Sequence, residues 1–266
     1  MKKRIFTFWE PTENMPAYLT LCLDTWRKFL PDCEIIILNY DNLSQWLGNN
    51  YFDKSLYSNF SFPMQADAIR CAILYKYGGV WLDTDTIITS TKFKQFIDID
   101  SDFILIGQHI GTIIANKNAK VLKKWLYQIK INISMYKFSK ITVLRWIYRI
   151  FMNKRVSERH KWNFLGNSIL DKILPGCKTS EFFSINKYKN NVFPEENMFK
   201  ELAPDLAYTK FYFENDFSEE VLSNNSGIIC LHNSWTPEHI KIMDKEHFLE
   251  LDNTLAKVLK KILNNH

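Results

Sequence analysis

Short apolar runs alternate with a longer helical pattern over the first forty residues of the chain. Residues 4–9 and 34–39 have the length and composition of β-strands, and the second run is apolar almost throughout, as in a strand buried on both faces. Between them, residues 16–30 repeat apolar side chains at helical spacing. A strand, a helix and a second strand joined by short connections predict the beginning of a parallel α/β sheet.

A second helix is predicted at residues 64–77, where apolar positions recur at i, i+3, i+4 and i+7 (Ala68, Cys71, Ala72 and Tyr75). Gly78 and Gly79 end this helix, because glycine adopts the left-handed conformation without the strain of a Cβ atom. Residues 80–82 are apolar and predict a short strand.

Two aspartates, Asp83 and Asp85, follow this strand directly. Residues i and i+2 of an extended chain point to the same side, so both carboxylates face one spot while Thr84 points away. Like charges at this distance repel unless a cation lies between them, and Mg²⁺ and Mn²⁺ take oxygen ligands while holding substrate phosphates. We interpret the pair as a clamp for a metal–diphosphate group; the alternative is a solvated turn with two surface aspartates.

The rest of the chain continues the α/β pattern. Further strands are predicted at residues 102–107, 111–116, 181–185, 191–194 and 227–231. Further helices are predicted at residues 118–131, in a run that ends at Leu174, and at residues 238–263. The last of these is predicted to be one long amphipathic helix that packs against the sheet. No internal repeat is visible, and we expect a single domain over residues 1–266.

Three blocks around the aspartate pair resemble a known family: residues 67–70 (DAIR), 74–79 (LYKYGG) and 82–85 (LDTD). Their order and spacing are similar to those of DXD-containing glycosyltransferases of family 32, which include bacterial capsule and O-antigen transferases and are related to yeast mannosyltransferases and clostridial glucosylating toxins. The resemblance implies a GT-A-like (Rossmann-like) α/β fold, a mostly parallel sheet flanked by helices, with a basic helical insertion. It also implies a retaining hexosyltransferase that uses a nucleotide sugar, by default a UDP-sugar, with GDP-mannose as the alternative.

The resemblance also implies catalytic roles for the two aspartates and for two residues of the preceding helix. Asp85 would hold Mn²⁺ or Mg²⁺, and Asp83 would lie near the ribose or near a water on the metal. Asp67 would accept hydrogen bonds from a sugar hydroxyl, and Arg70 would contact sugar or phosphate. A surface ion pair within the helix is the alternative for Asp67 and Arg70, since they are three positions apart.

An aromatic residue after the first strand would contact the nucleotide base in such a family. Trp9 matches this position, and the resemblance extends the nucleotide-sugar site to Phe8 and Gly79. The alternative for Trp9 is a side chain that covers the end of the sheet.

A polar segment after the last predicted strand, residues 232–235 (HNSW), resembles the final motif of the family. By that likeness, His232 or Asn233 supplies a metal ligand, and Ser234 and Trp235 contact the diphosphate. The segment is shorter than in many relatives, so the choice between His232 and Asn233 is open. A hydrogen-bonded structural histidine is the alternative.

Charge is distributed unevenly along the chain. Its net charge is +5, yet residues 117–161 hold thirteen Lys or Arg and one acid, giving +12 there and −7 elsewhere. We expect residues 117–175 to form a basic helical subregion on the acceptor or membrane side. Within it, residues 135–152 have the composition of a basic amphipathic helix that lies on an anionic membrane. A solvated helical face is the alternative, and without a recognised motif we expect no nucleic-acid partner.

The cysteines and the hydropathy of the chain predict the cellular compartment of the protein. Five cysteines without metal-ligand spacing predict free thiols in a reducing cytoplasm, and no apolar run reaches the roughly 18 residues that span a bilayer. The family likeness adds a saccharide acceptor on a polyprenyl diphosphate. We therefore expect a peripheral protein on the cytoplasmic face of the inner membrane.

Two other functions are compatible with parts of the pattern. A catalytically silent membrane-surface protein on the same scaffold would bind no nucleotide in a metal-dependent way. A phosphatase of the haloacid dehalogenase type also uses Asp-x-Asp, but it normally carries Thr or Val where this chain has Ile87, and it places the motif on the first strand.

Overall fold

The computed structural model describes residues 3–48, 51, 60–99, 101–107, 110–139, 164–177, 183–185, 199, 201–223 and 227–264. The strand predicted at residues 191–194 and residues 140–163 of the basic subregion, with most of the amphipathic helix predicted at 135–152, lie outside these residues.

A six-stranded mixed sheet organises the described chain. Its strands join in the order β2-β1-β3-β6-β5-β7, and β4 and β8 form a separate antiparallel pair. The pairs β1–β2, β1–β3 and β5–β7 are parallel, whereas β3–β6 and β5–β6 are antiparallel. The strands are β1 (Arg4–Phe8), β2 (Glu34–Leu38), β3 (Gly79–Leu82), β4 (Thr86–Ile88), β5 (Phe103–Ile106), β6 (Thr112–Ala115), β7 (Phe183–Ile185) and β8 (Ile228–Cys230).

Helices cover both faces of this sheet. They are α1 (Ala17–Phe29), α2 (Leu43–Leu47), α3 (Phe62–Tyr77), α4 (Lys94–Ile97), α5 (Lys120–Ser139), α6 (Asn167–Ile173), α7 (Pro204–Thr209), α8 (Ser218–Ser223), α9 (Glu238–Lys241), α10 (Lys245–Glu250) and α11 (Thr254–Asn264). The alternation of strand side chains separates the two sides. Phe6 and Trp81 lie in the core beneath α3 and α5, whereas Ile5 and Leu82 pack with α1. The predicted α/β class, a mostly parallel sheet flanked by helices, is confirmed.

The central helix and strand match their predictions. Helix α3 carries Pro63 in its first turn and ends at Gly78, which has a φ of 67°. A Cβ atom on Gly78 would lie 2.7 Å from the main-chain nitrogen of Lys117, so this helix end needs glycine for space as well as for conformation.

The prediction for residues 34–39 is wrong in one respect. Strand β2 lies at the edge of the sheet, and Glu34 is exposed while Ile35 and Ile37 are half-buried. A continuous apolar run therefore identified a strand here but not its position in the sheet, because an edge strand can be covered partly by loops and neighbouring helices.

The single C-terminal helix predicted at residues 238–263 is also wrong. The chain forms three short helices there, α9, α10 and α11. Asp244 accepts a hydrogen bond from the main-chain N–H of His247 (3.0 Å), and Asn253 accepts one from Ala256 (2.9 Å), so each side chain caps a new helix. Ile242, at the end of α9, is 79% exposed instead of facing the core. Local side-chain hydrogen bonds to the backbone interrupt a helical pattern that hydrophobic spacing alone does not resolve.

Candidate active site

Asp83 and Asp85 lie where the chain leaves the six-stranded sheet and enters the two-stranded one. The main-chain N–H of Asp83 donates to the carbonyl of Gly111 (2.8 Å), and the carbonyl of Asp83 accepts from Thr86 (3.0 Å). Residues 83–86 therefore form a turn, and the extended geometry predicted for Asp83 and Asp85 is wrong. Strand β4 then pairs with β8, with Thr86 opposite Cys230. This pairing brings the segment after β8 to the aspartates.

Arg70 is the buried cation of the site, with a 5% exposed side chain. Its Nη2 atom lies 3.1 Å from Asp83 Oδ1 and 3.4 Å from Asp67 Oδ1, and its Nη1 donates to the carbonyl of Ile110. The guanidinium lies 5.1 Å from the ring centre of Trp81, whose Nε1 donates to Asp83 Oδ1 (2.7 Å). The predicted Asp67, Arg70 and Asp83 are therefore joined in one network, and the alternative of a surface ion pair is wrong.

Asp85 accepts a hydrogen bond at Oδ2 from the main-chain N–H of Asn233 (2.8 Å). Burial, and then the charge of Asp83, raise the pKa of Asp85 to about 7, although the Asn233 hydrogen bond lowers it. A carboxylate in this environment is destabilised in its charged form unless a positive charge approaches.

The donor set fits a hard divalent ion. Asp83 and Asp85 offer carboxylate oxygens, the ligands that Mg²⁺ and Mn²⁺ prefer. Within the described residues no group of three or more His, Cys, Asp or Glu side chains could hold a metal. Two carboxylates are part of a coordination shell, and substrate phosphates can complete such a shell.

Two glycines make room for these carboxylates. A Cβ atom on Gly166, just before α6, would lie 2.7 Å from Cγ of Asp67 and 2.7 Å from Ile110 Cδ1. A Cβ atom on Gly111 would lie 2.9 Å from Asp83 Oδ2. From the sequence, Gly166 resembles only loosely a glycine that opens an acceptor-side helix in the family, and Gly111 was not predicted. Neither contact with a carboxylate was predicted, since each depends on a partner distant in sequence.

The segment from His232 to Trp235 forms a turn beside Asp85, and we call it the HNSW turn. The ring of His232 lies 4.2 Å from that of Trp235, Ser234 is exposed, and the side-chain oxygen of Asn233 accepts a hydrogen bond from the Tyr18 hydroxyl. The HNSW turn and the aspartates are therefore adjacent, as the family likeness implies. The ligand and diphosphate roles of the four residues stay predictions.

Trp9 and Phe8, which are predicted to lie near the nucleotide base, pack against different neighbours. Trp9 is half-buried and packs against the same core cluster as Trp235, and its buried Nε1 has no hydrogen-bond partner in the described residues. Phe8 is 7% exposed and packs against Tyr40, with 6.0 Å between ring centres. Contacts of Trp9 and Phe8 with a nucleotide stay predictions.

Gly79 lies at the opposite end of β3 from the aspartates. It begins β3, whereas the aspartates follow the end of that strand, about 13 Å further along an extended chain. A Cβ atom on Gly79 would lie 2.6 Å from the carbonyl oxygen of Arg4, and its φ is 105°. Gly79 therefore allows β3 to approach β1, and its contact with the nucleotide sugar stays a prediction.

Tyr18 and Tyr208 contact the site but were missed from sequence. Tyr18 lies on α1 and Tyr208 on α7, and both are 0% exposed. The hydroxyl of Tyr208 accepts a hydrogen bond from the main-chain N–H of His232 (3.1 Å). Their apolar neighbours in sequence gave no signal that these hydroxyls reach the HNSW turn.

These features define a class: an α/β protein with a carboxylate pair at a strand end, suited to a metal-bound diphosphate. Residues 1–159 match the family described as capsular polysaccharide synthesis protein. The chain belongs to this family. The match includes the aspartate pair and Arg70, whereas the HNSW turn lies outside the matched residues.

Solved structures similar to this chain are glycosyltransferases. The PaToxG glycosyltransferase is 16% identical, with a TM-score of 0.34, over 71% of this chain and 83% of that one. The glycosyltransferase GlyE of Streptococcus pneumoniae TIGR4 is 12% identical, with a TM-score of 0.46, and its apo form is 11% identical, with a TM-score of 0.45. This chain is covered completely in both GlyE comparisons and spans 61% of the GlyE chains. A comparison with curated proteins gave no match.

Proposed function

We propose that this protein is a metal-dependent, retaining hexosyltransferase of capsular polysaccharide synthesis that uses a nucleotide sugar as donor. One observation carries the proposal: two adjacent carboxylates end a buried strand, and one of them has its pKa raised to about 7. Family membership supplies the biological setting.

Asp83 and Asp85 would hold Mn²⁺ or Mg²⁺, with His232 or Asn233 as a further ligand. When bound, the ion supplies Lewis-acid stabilisation for charge that develops on the leaving nucleoside diphosphate. Ser234, which is exposed, and Trp235 border the same place and would contact the diphosphate. Trp9 and Phe8 would contact the nucleotide base.

Asp67 and Arg70 would bind the donor sugar. Arg70 is held by Asp67, Asp83 and the carbonyl of Ile110, so its guanidinium has a fixed place beside the carboxylate pair. A fixed cation and a hydrogen-bond acceptor at one site can orient a sugar without reorganising during the reaction. A UDP-sugar is the proposed donor, and GDP-mannose is the alternative.

The proposed acceptor is a saccharide on a polyprenyl diphosphate at the cytoplasmic face of the inner membrane. Helix α5 supports a peripheral contact, because Lys123, Lys124 and Lys130 are exposed on the side opposite its core residues, around a 68% exposed Tyr127. Lysine and an interfacial aromatic residue are typical of helices on anionic lipid. No helix in the described ranges combines the length and the apolar character needed to cross a bilayer.

Nucleotide release from a panel of UDP- and GDP-sugars tests the proposal. With Mn²⁺ present, we expect slow hydrolysis of one donor by the wild type, lost on removal of the metal and in Asp85→Ala. Asp32→Ala is the matched control, since this carboxylate is 84% exposed and pairs only with the surface residue Lys94 in the described structure. Absence of both turnover and Mn²⁺-dependent nucleotide binding across the panel would contradict the proposal and favour a silent binding protein.

A further inference from the structure

The HNSW turn is attached to Asp85 by two main-chain hydrogen bonds. The N–H of Leu231 donates to the carbonyl oxygen of Asp85 (3.0 Å), and the N–H of Asn233 donates to its Oδ2 atom (2.8 Å). The position of Asn233 therefore determines which oxygen of Asp85 is engaged by the protein.

Two buried hydroxyls hold the other side of the same turn. Tyr18 donates to the side-chain oxygen of Asn233, and its hydroxyl lies 3.3 Å from Thr236 Oγ1. Tyr208 accepts from the N–H of His232 (3.1 Å). Burial raises the pKa of Tyr18 well above its usual value, so its hydroxyl keeps the proton that it donates.

We propose that Tyr18 is a positioning residue for Asp85 that acts through Asn233. Its hydroxyl fixes the Asn233 side chain, and the main-chain N–H of Asn233 then stays directed at Asp85 Oδ2. The Oδ1 atom of Asp85 is left for the cation. The metal part of this inference rests on the proposed function. Partners that orient metal ligands in this way commonly change metal affinity by about 10- to 100-fold when they are removed.

Amide hydrogen exchange of the metal-free protein tests the first step. Tyr18→Phe removes one hydroxyl and keeps the ring, so we expect the Asn233 amide to exchange roughly tenfold faster, as after the loss of a buried hydrogen bond. Amides of α3 should not change. Tyr40→Phe is the matched control, because it removes a hydroxyl that donates to Gln65 (2.5 Å) in the other core cluster.

Mn²⁺ titration in the presence of UDP tests the second step. We expect Tyr18→Phe to weaken Mn²⁺ binding about tenfold, and Tyr40→Phe to leave it unchanged. Asn233→Ala should cause a similar loss, and the double variant should bind no more weakly than Asn233→Ala, because Tyr18 acts through that side chain.

The exchange and Mn²⁺ measurements together test whether Tyr18 positions Asp85. Unchanged exchange at Asn233 in Tyr18→Phe, or faster exchange with unchanged Mn²⁺ affinity, would overturn the positioning role. If Tyr18→Phe accelerates exchange throughout the protein, the double variant decides: an Mn²⁺ affinity below that of Asn233→Ala would overturn the positioning role. A wild type that binds Mn²⁺ with neither UDP nor GDP would refute the proposed function and the metal role, while the exchange data still decide whether Tyr18 holds Asn233.

Discussion

Asp67 is a buried carboxylate whose surroundings do not favour its charge. Burial raises its pKa to about 7, Arg70 lowers it, and Asp83 raises it again. Only 5% of the residue is exposed, so water contributes little to its stabilisation. A buried charge retained at such a cost is typical of sites that serve binding or catalysis.

Asp67→Asn is expected to raise stability and abolish transfer. The folded pKa of about 7 exceeds the ordinary 3.8, so ionised Asp67 destabilises the fold increasingly as pH rises from about 4 to about 7. At pH 8 the variant should exceed the wild type by on the order of 2 kcal/mol in free energy of unfolding. The difference should shrink toward pH 4. Urea unfolding at several pH values measures it, and a variant less stable at pH 8 would contradict the prediction.

Gly166→Ala is expected to disturb the site through Asp67. The new methyl group would lie 2.7 Å from Asp67 Cγ and must displace that side chain or α6. Overpacking of this kind costs about 1–3 kcal/mol, and we expect a matching drop in donor hydrolysis. Gly176→Ala is the control, since nothing lies within 4 Å of its Cβ position. Equal thermal stability and activity for the two variants would count against the contact.

The sequence predicted those site residues whose relation is local. Asp67 and Arg70 share a helix, so spacing was enough to bring that pair together. Asp83 and Asp85 were also predicted together, but they lie in a turn and not in the extended chain on which that prediction rested. Tyr18 was not predicted, because the hydrogen bond from its hydroxyl to Asn233 joins residues 215 positions apart. A buried tyrosine in an apolar helix face has the same pattern whether its hydroxyl reaches a site or not.

At the scale of elements, side-chain caps decide where helices end in the C-terminal segment. Leu255, Leu259 and Ile262 keep the apolar spacing predicted for one long helix, and all three are buried on α11. The spacing therefore identified the buried face of α11 correctly, whereas Ile242 near α9 is exposed. It did not reveal the break at Asn253, whose side chain is 5% exposed and caps α11.

Asn253→Ala is expected to lower the free energy of unfolding by about 1–2 kcal/mol, as for other N-cap residues. Its side chain accepts the hydrogen bond of Ala256, which would lose its partner. The neighbouring Asp252→Ala should change stability by less than about 1 kcal/mol, because this carboxylate is 87% exposed in a surface ion pair. Denaturant unfolding compares the two variants, and a larger effect of Asp252→Ala would refute the capping role.

At the scale of the whole molecule, positive charge is concentrated in one part of the chain and on the exposed face of α5. Residues 117–161 carry +12 against −7 elsewhere. Within the described residues, Lys123, Lys124 and Lys130 form no ion pair with an acid. Uncompensated cations attract anionic lipid over a distance of about 10 Å at moderate salt.

Replacing Lys123, Lys124 and Lys130 by Gln is expected to weaken binding to vesicles that contain phosphatidylglycerol by at least about tenfold, since each lysine near the surface contributes roughly 1 kcal/mol. Lys3, Lys92 and Lys94 changed to Gln provide the same charge difference elsewhere. Vesicle sedimentation at two salt concentrations measures both triple variants. Equal loss in the two would mean that net charge, not the face of α5, determines binding.

Strand β8 joins β4 across the chain, and Asn233 contacts Asp85 over a separation of 148 residues. During synthesis on the ribosome, the aspartates therefore emerge long before their partners. A nascent chain that has released only its first two hundred residues can form β1, α1, α3 and β3, yet it exposes Asp85 without the HNSW turn. Under the proposed function, capture of metal and nucleotide would then begin only after the HNSW turn has left the ribosome, 148 residues after Asp85.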